Sequence, residues 1–399
     1  MKSSRASRVR NSPAPRPLLL ALTTLAMAGL ACQAGEPTAA PATAPGEFSQ
    51  PTNAPSDTAS SFDQDRTAFG FFPAPPEGTT EAVFKHFGNM GENANFILIQ
   101  PNIPWEEFAQ GIEGESQQRT DLTNQTILAQ QNDLEWIFVV DPLNGLNRRE
   151  FFGLPEEWDA SFGNPDVREA FTNFTLWIVR EFSPRYLGLA SEINTYMDAH
   201  PDDVDNFVSL YKDVYEEVKV EAPDTQIFVS FQWDDLNNMF APAAEGRPAG
   251  QTNWDQVEAY EPQLDLWVIS SYPYFAFPNG EGIPADYYTP LLERTNKPLA
   301  VAEGGWTTEP IGGGAIQGDE AGQIDYLQAL HDQLGDRMSF WVYLILSDFN
   351  MDSFAKIMRA EGRAESDIEG LSTFAAVGLT HFDGAPKPAL ALWNAYRGE

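Results

Sequence analysis

The sequence predicts an α/β chain folded as a single (β/α)8 barrel, the TIM-barrel architecture. Three observations predict it: eight short apolar runs rich in β-branched and aromatic residues, longer segments of helical period between them, and no glycine-rich phosphate loop after the first run. The runs read AFGFF (68–72), NFILIQ (95–100), EWIFVVD (135–141), YLGLASE (186–192), QIFVSFQW (226–233), LDLWVISSY (264–272), PLAVAE (298–303) and MSFWVYLIL (338–346). Most are continuously apolar, as strands covered on both faces must be. A count of eight favours a closed barrel, because open doubly wound sheets usually have five or six strands. Gly70 is followed by Phe71-Phe72-Pro73 rather than by a helix entry, which leaves no dinucleotide site at the first strand.

The clearest helices are expected over 167–182, 204–220, 321–335 and 388–396. Two carry start signals. Asn164-Pro165-Asp166 and Pro201-Asp202-Asp203 put proline and acidic side chains where a first helical turn tolerates the one and favours the other.

Upstream of the barrel the chain changes character. The first 17 residues hold five basic and no acidic side chains, and the apolar run from Leu18 to Ala31 follows directly, which is the pattern of a secretory signal peptide over residues 1–31. The run is shorter than the roughly 20 residues of a membrane span. Cys32, the one cysteine, follows Ala28-Gly29-Leu30-Ala31, a segment that resembles the lipobox of bacterial lipoproteins. The resemblance implies cleavage before Cys32, lipidation of its thiol and an extracytoplasmic, lipid-anchored location on the cell envelope. With one cysteine no intrachain disulfide can form, so the fold rests on its core. Residues 32–65 then form a tether, rich in Pro, Ala, Thr and Ser and too poor in large aliphatic side chains to fold. The barrel domain is expected over 66–399.

Charge narrows the partners. With 24 basic and 58 acidic side chains the formal charge is −34, a surface that repels nucleic acid and anionic headgroups. A neutral or cationic ligand is expected, with contact to the membrane only through the anchor and no nucleic acid. The four histidines are scattered without HxH or HxxxH pairing, DFNMDS (348–353) lacks the glycine and final glutamate of an EF-hand loop, and no GxSxG elbow occurs. No metal or cofactor is expected, and a monomer is.

A barrel builds its site at the C-terminal ends of its strands. The polar residues there are Gln100 and Asn102 after strand two, Asp141 after three, Glu192 and Asn194 after four, Gln232, Trp233 and Asp234 after five, Tyr272 after six, and Glu303 and Trp306 after seven, with Trp341 within eight. Two are glutamates, on strands four and seven, and glycoside hydrolysis needs two carboxyl groups flanking one bond. YLGLASEIN and PLAVAEGGW resemble the two signature strands of clan A glycoside hydrolases, and FAAVGLTHFDGAPKPALALWNAY resembles the closing segment of many of them. The resemblance covers most of residues 66–398 and implies a retaining double displacement on an oligo- or polysaccharide, with Glu192 as acid/base and Glu303 as nucleophile. It further implies that Tyr272 hydrogen-bonds the nucleophile and that Trp341 forms a sugar platform. Trp105, Trp233 and Trp306 lie just past strand ends, where an aromatic ring can stack on a sugar.

One position departs from the clan. Asparagine usually precedes the acid/base and holds the sugar 2-hydroxyl, and this chain has Ser191. Three alternatives stay open: Asn194 or Gln232 holds that hydroxyl, the subfamily is unusual, or catalysis has been lost and the protein is a carbohydrate-binding lipoprotein on a hydrolase barrel.

Overall fold

The computed structural model describes residues 66–112, 114, 116–240, 248–278, 282–360 and 362–398. The signal peptide, Cys32 and the tether lie outside them. Among the described residues no helix is long and apolar enough to cross a membrane.

Eight parallel strand positions form the barrel: β1 (Ala68–Phe71), β2 (Phe96–Ile99), β3 (Glu135–Val139), β4 (Tyr186–Gly188), β5, β6 (Trp267–Ser271), β7 (Leu299–Gly304) and β8 (Met338–Tyr343). β5 comes in two pieces, Gln226–Phe228 and Ser230–Gln232, interrupted at Val229. The first piece pairs with β4 and the second with β6, so the ring of strands closes through this one broken strand. Inward-facing Phe96, Tyr186, Phe228 and Phe340 fill the barrel, with ring centroids 4.9 to 6.4 Å apart. Gly188 shares the inward face of β4 with Tyr186. A Cβ there would stand 2.9 Å from both Val139 Cγ2 and Phe228 Cε2, so only glycine lets the aromatic neighbour in.

The enclosing helices are α1 (Thr80–Asn93), α2 (Gln117–Gln131), α3 (Pro165–Phe182), α4 (Val204–Glu221), α5 (Trp254–Glu258), α6 (Thr289–Arg294), α7 (Glu320–Leu334) and α8 (Pro388–Arg397). The expected start of α3 is built as its residues dictate. Pro165 opens the helix and the Asn164 side chain accepts from the Asp166 N–H at 3.0 Å, a cap that contributes about 1 kcal/mol. Asp203 precedes α4 but caps nothing. Its carboxylate instead accepts from Ser161, the Phe162 N–H, Tyr196 and Asn206, binding the loop after β3 to the loop after β4.

The ladders end earlier than the apolar runs suggest: β3 stops at Val139 and β4 at Gly188. Beyond those points the chain keeps delivering side chains inward, but much of its bonding passes to side chains, with Asp141 and Ser230 accepting the N–H groups of Ser191 and Glu192. After β3 the chain also forms a two-stranded hairpin, Leu143–Asn144 with Asn147–Phe151, that the sequence reading did not include. Its turn is held by Asn144 Oδ1, which accepts from the Leu146 N–H at 3.0 Å.

Candidate active site

The hairpin places Arg148 over the mouth of the barrel, and this arginine organises the polar residues gathered there. Its Nη1 pairs with Asp141 Oδ2, its Nε lies 3.3 Å from Glu192 Oε2 and its Nη2 lies 3.3 Å from Glu303 Oε1. All four side chains are buried. One cation therefore faces three carboxylates out of water, where each uncompensated charge costs several kcal/mol.

Each glutamate reaches this point through a local irregularity. Glu192 sits in the left-handed region at φ 51, ψ 40, at the switch from β4 into the short helix Ile193–Ala199. That conformation strains a non-glycine residue by roughly 1–3 kcal/mol, and its neighbours hold it there: the Glu192 N–H donates to Ser230 Oγ at 3.0 Å and Ser270 Oγ donates to Glu192 Oε1. Glu303 follows a register shift in β7, where Val301 pairs with Ile269 and Glu303 with Ser270, leaving Ala302 as the extra residue of a bulge. Bulges re-aim side chains in this way beside functional sites.

Glu303 has three donors. Ser191 Oγ gives a bond of 2.7 Å and Arg148 Nη2 one of 3.3 Å to Oε1, while Tyr272 Oη lies 3.4 Å from Oε2. Burial nevertheless raises its pKa to about 7; Arg148 opposes the rise, the Glu192 charge adds to it and the Ser191 hydrogen bond opposes it. Burial also drives the Tyr272 phenol well above its ordinary range, so it stays a donor. Behind Tyr272 lies Asp234, wholly buried, which accepts from the Tyr272 N–H at 2.8 Å and from Gln232 Nε2 at 3.1 Å. Burial raises its pKa to about 6, against hydrogen bonds from Tyr287, Tyr272 and Gln232.

The other sequence-predicted residues divide. Asp141 holds Arg148 and accepts from Gln100 Nε2 at 2.6 Å, and Gln100 Oε1 is left buried without a partner. Asn194 and Gln232, expected as substitutes for the missing asparagine, are committed elsewhere. Asn194 accepts from the Gln232 N–H at 2.8 Å and donates to the Gln232 carbonyl at 3.2 Å, while Gln232 Oε1 accepts from the Asp235 N–H. Neither amide is free for a sugar.

The tryptophans need correcting. Trp341 lies on the outward face of β8, its ring 5.3 Å from Trp393 and 6.3 Å from Tyr396 of α8, so it packs the sheet against a helix rather than forming a platform at the mouth. Trp233 is fully buried between Trp254 and Tyr288 and donates to the Tyr287 carbonyl. Trp306 packs against the start of α7 and is 3% exposed. Trp105 is buried as well, donating to the Phe152 carbonyl beneath the hairpin. None offers an open face.

Sequence reasoning missed Arg148, Ser230 and Ser270. A signal for the first was present: Asn144-Gly145 between two short polar-apolar runs marks a turn, and the arginine sits within the second run. The serines carried none, since their importance comes from strand ends meeting across the barrel.

No family model matches the chain, and no curated protein matches it in sequence. Solved structures do. An exo-β-1,4-mannosidase from Opitutaceae bacterium strain TAV5 superposes with a TM-score of 0.59 at 14% identity, over 84% of this chain and 60% of that one. A GH5_18 protein from Bifidobacterium longum subsp. longum gives 0.59 at 14%, over 84% and 80%. A family 39 glycoside hydrolase from Bacteroides cellulosilyticus WH2 gives 0.50 at 15%, over 84% and 64%. The chain thus spans 60% of the mannosidase's length, and at these identities the likeness is one of fold: a parallel strand barrel enclosed by helices.

Proposed function

We propose that the protein is a retaining glycoside hydrolase in which Glu303 attacks the anomeric carbon and Glu192 protonates the leaving oxygen, then activates water. The observation that carries the reading is the shared clamp. One guanidinium holds both glutamates at a buried strand-end site, a surplus of carboxylates that a merely structural cluster has no reason to maintain. Two carboxyl groups on one bond are what glycosidic cleavage requires.

Roles follow from the donors. Three groups donate to Glu303 and favour its carboxylate, the form a nucleophile needs, against the burial that raises its pKa to about 7, whereas among the described residues Ser270 and Arg148 donate to Glu192. Ser191, in place of the usual asparagine, is turned to Glu303. Gln100 Oε1 is an unpaired acceptor beside Asp141, the nearest such oxygen offered to a sugar hydroxyl once the mouth opens. Because Arg148 is saturated by protein carboxylates, an acidic sugar finds no cation here, and the substrate class is a neutral glycan. Two neighbours of the fold are an exo-β-1,4-mannosidase and a GH5_18 protein in complex with Manβ1-4GlcNAc, so β-1,4-mannosides and β-1,4-glucosides head the substrate panel. A lipid anchor at Cys32 would hold the enzyme on the cell envelope, where products form close to the cell.

The test is that panel with wild type, Glu192→Ala and Glu303→Ala. Wild type cleaves at least one substrate, and each variant loses about 10²-fold or more. A wild type that binds oligosaccharides and cleaves none sinks the hydrolase reading, and a fully active Glu303→Ala sinks the assignment of the nucleophile.

A further inference from the structure

A polar cavity of about 340 Å³ lies between α1 and the loops that follow β8. It shares no residue with the cluster around Arg148. Its inner wall includes His86, 1% exposed, whose ring nitrogens have no hydrogen-bond partner beside the Phe72 backbone. Burying an imidazole with one of its two nitrogens unsatisfied costs about 1–3 kcal/mol, which a core position would normally avoid by carrying an apolar residue. Burial lowers the His86 pKa to about 4, opposed by a hydrogen bond with the Phe72 backbone, so near neutral pH the ring is uncharged and carries one donor and one acceptor. At the rim stands Phe382, 57% exposed. Between them are the side chains of Asn89 and Asp383 and the pair Asn350 and Glu77, joined at 3.4 Å.

We propose that this cavity is a second saccharide-binding site, with Phe382 stacking on a sugar face and His86, Asn89 and Asp383 bonding its hydroxyls. The chemistry selects that ligand class. A neutral imidazole, amides and carboxylates pair with hydroxyl groups that both donate and accept, and an exposed aromatic ring beside them supplies the apolar face that a pyranose needs. An anion is disfavoured by Glu77, Glu81 and Asp383 against the single Lys85. Such a site would retain a long glycan on the barrel while the mouth acts on another stretch, and it does not depend on the roles of Glu192 and Glu303.

The experiment follows the ring ¹⁵N and ¹H resonances of His86 in the full chain during titration with mannohexaose, cellohexaose and, separately, calcium chloride. A hexasaccharide shifts the His86 signals, and Phe382→Ala weakens that binding roughly tenfold. His86→Leu abolishes the component of calorimetric binding that Phe382→Ala weakens, leaving that of the mouth, and raises the melting temperature, because an unsatisfied ring nitrogen has left the interior. A Glu303→Gln chain binds unchanged, which separates this site from the hydrolase reading. No shift with either sugar at about 10 mM, a shift untouched by Phe382→Ala, or a response to calcium alone each overturns the proposal.

Discussion

Two buried ionic clusters sit at the same end of this barrel, and they are built on opposite principles. In one, Lys387 pairs with Asp348 at 2.7 Å and also donates to Thr308 and to the Ala376 carbonyl, while Asp348 accepts from the Gly378 N–H. One lysine meets one aspartate, with His381 Nδ1 3.7 Å from the other carboxylate oxygen, and the result is a clip that fastens the C-terminal segment to the loop after β8. In the other, Arg148 meets Asp141, Glu192 and Glu303 at once. The clip is balanced; the mouth carries surplus negative charge. A balanced buried pair can be exchanged for apolar side chains at little cost, whereas surplus buried charge persists only where something other than stability maintains it.

The sharpest way to break this comparison is to remove each cation. Arg148→Met strips three carboxylates of their counter-ion and is expected to destabilise the protein by about 3–5 kcal/mol and to reduce hydrolysis by two orders of magnitude or more. Lys387→Met combined with Asp348→Leu removes the clip as a pair and is expected to stay within about 2 kcal/mol of wild type with hydrolysis intact. Urea unfolding and initial rates check both. Equal losses of activity in the two variants would dissolve the distinction.

A smaller effect tests the protonation of the pair. Glu303 is raised to about 7 from an ordinary 4.5, and Asp234 and Asp348 to about 6 from 3.8. Carboxyls raised in this way bind protons more tightly in the folded chain. The stability they confer is complete below their ordinary values and is lost as pH rises through about 6 to 7. Melting temperature should therefore fall between pH 4.5 and 7, and fall less steeply in Glu303→Gln. Catalysis runs the other way, because the nucleophile must be ionised. The acid limb of kcat/KM is expected near pH 7, and Ser191→Ala, which removes a donor to the carboxylate, moves it upward. A limb that shifts downward or not at all contradicts the role given to Ser191.

The smallest effect concerns Trp341. Packed between β8 and α8, it should yield on change to Phe a loss of about 1–2 kcal/mol in stability and an unchanged kcat/KM. A selective rise in KM would return it to the mouth.

These regions also show what could be read from the sequence. The eight strands, the opening of α3 and the strand-end positions of Glu192 and Glu303 were legible because each follows from local pattern: continuous apolar runs, a proline after a capping asparagine, polar residues terminating strands. Arg148 was not, since nothing in a hairpin's sequence says which strand ends its arginine will reach. The tryptophans misled for a related reason. A strand residue's face is set by barrel register, and Trp341 falls on the outward parity, one residue away from the inward Phe340. Asn194 and Gln232 do stand at neighbouring strand ends, but sequence could not reveal that each already bonds to a neighbour's backbone or carboxylate.

The central claim is that Glu303 forms the covalent bond. Incubation with activated 2-deoxy-2-fluoro β-mannosides and β-glucosides, followed by peptide mass mapping, tests it most directly, because fluorine slows release of the glycosyl-enzyme more than its formation. The account predicts one glycosyl unit on the peptide carrying Glu303, absent from Glu303→Gln and retained when His86 is replaced. A label on Glu192 or Asp141, or hydrolysis that proceeds with inverted anomeric configuration and no adduct, would contradict it.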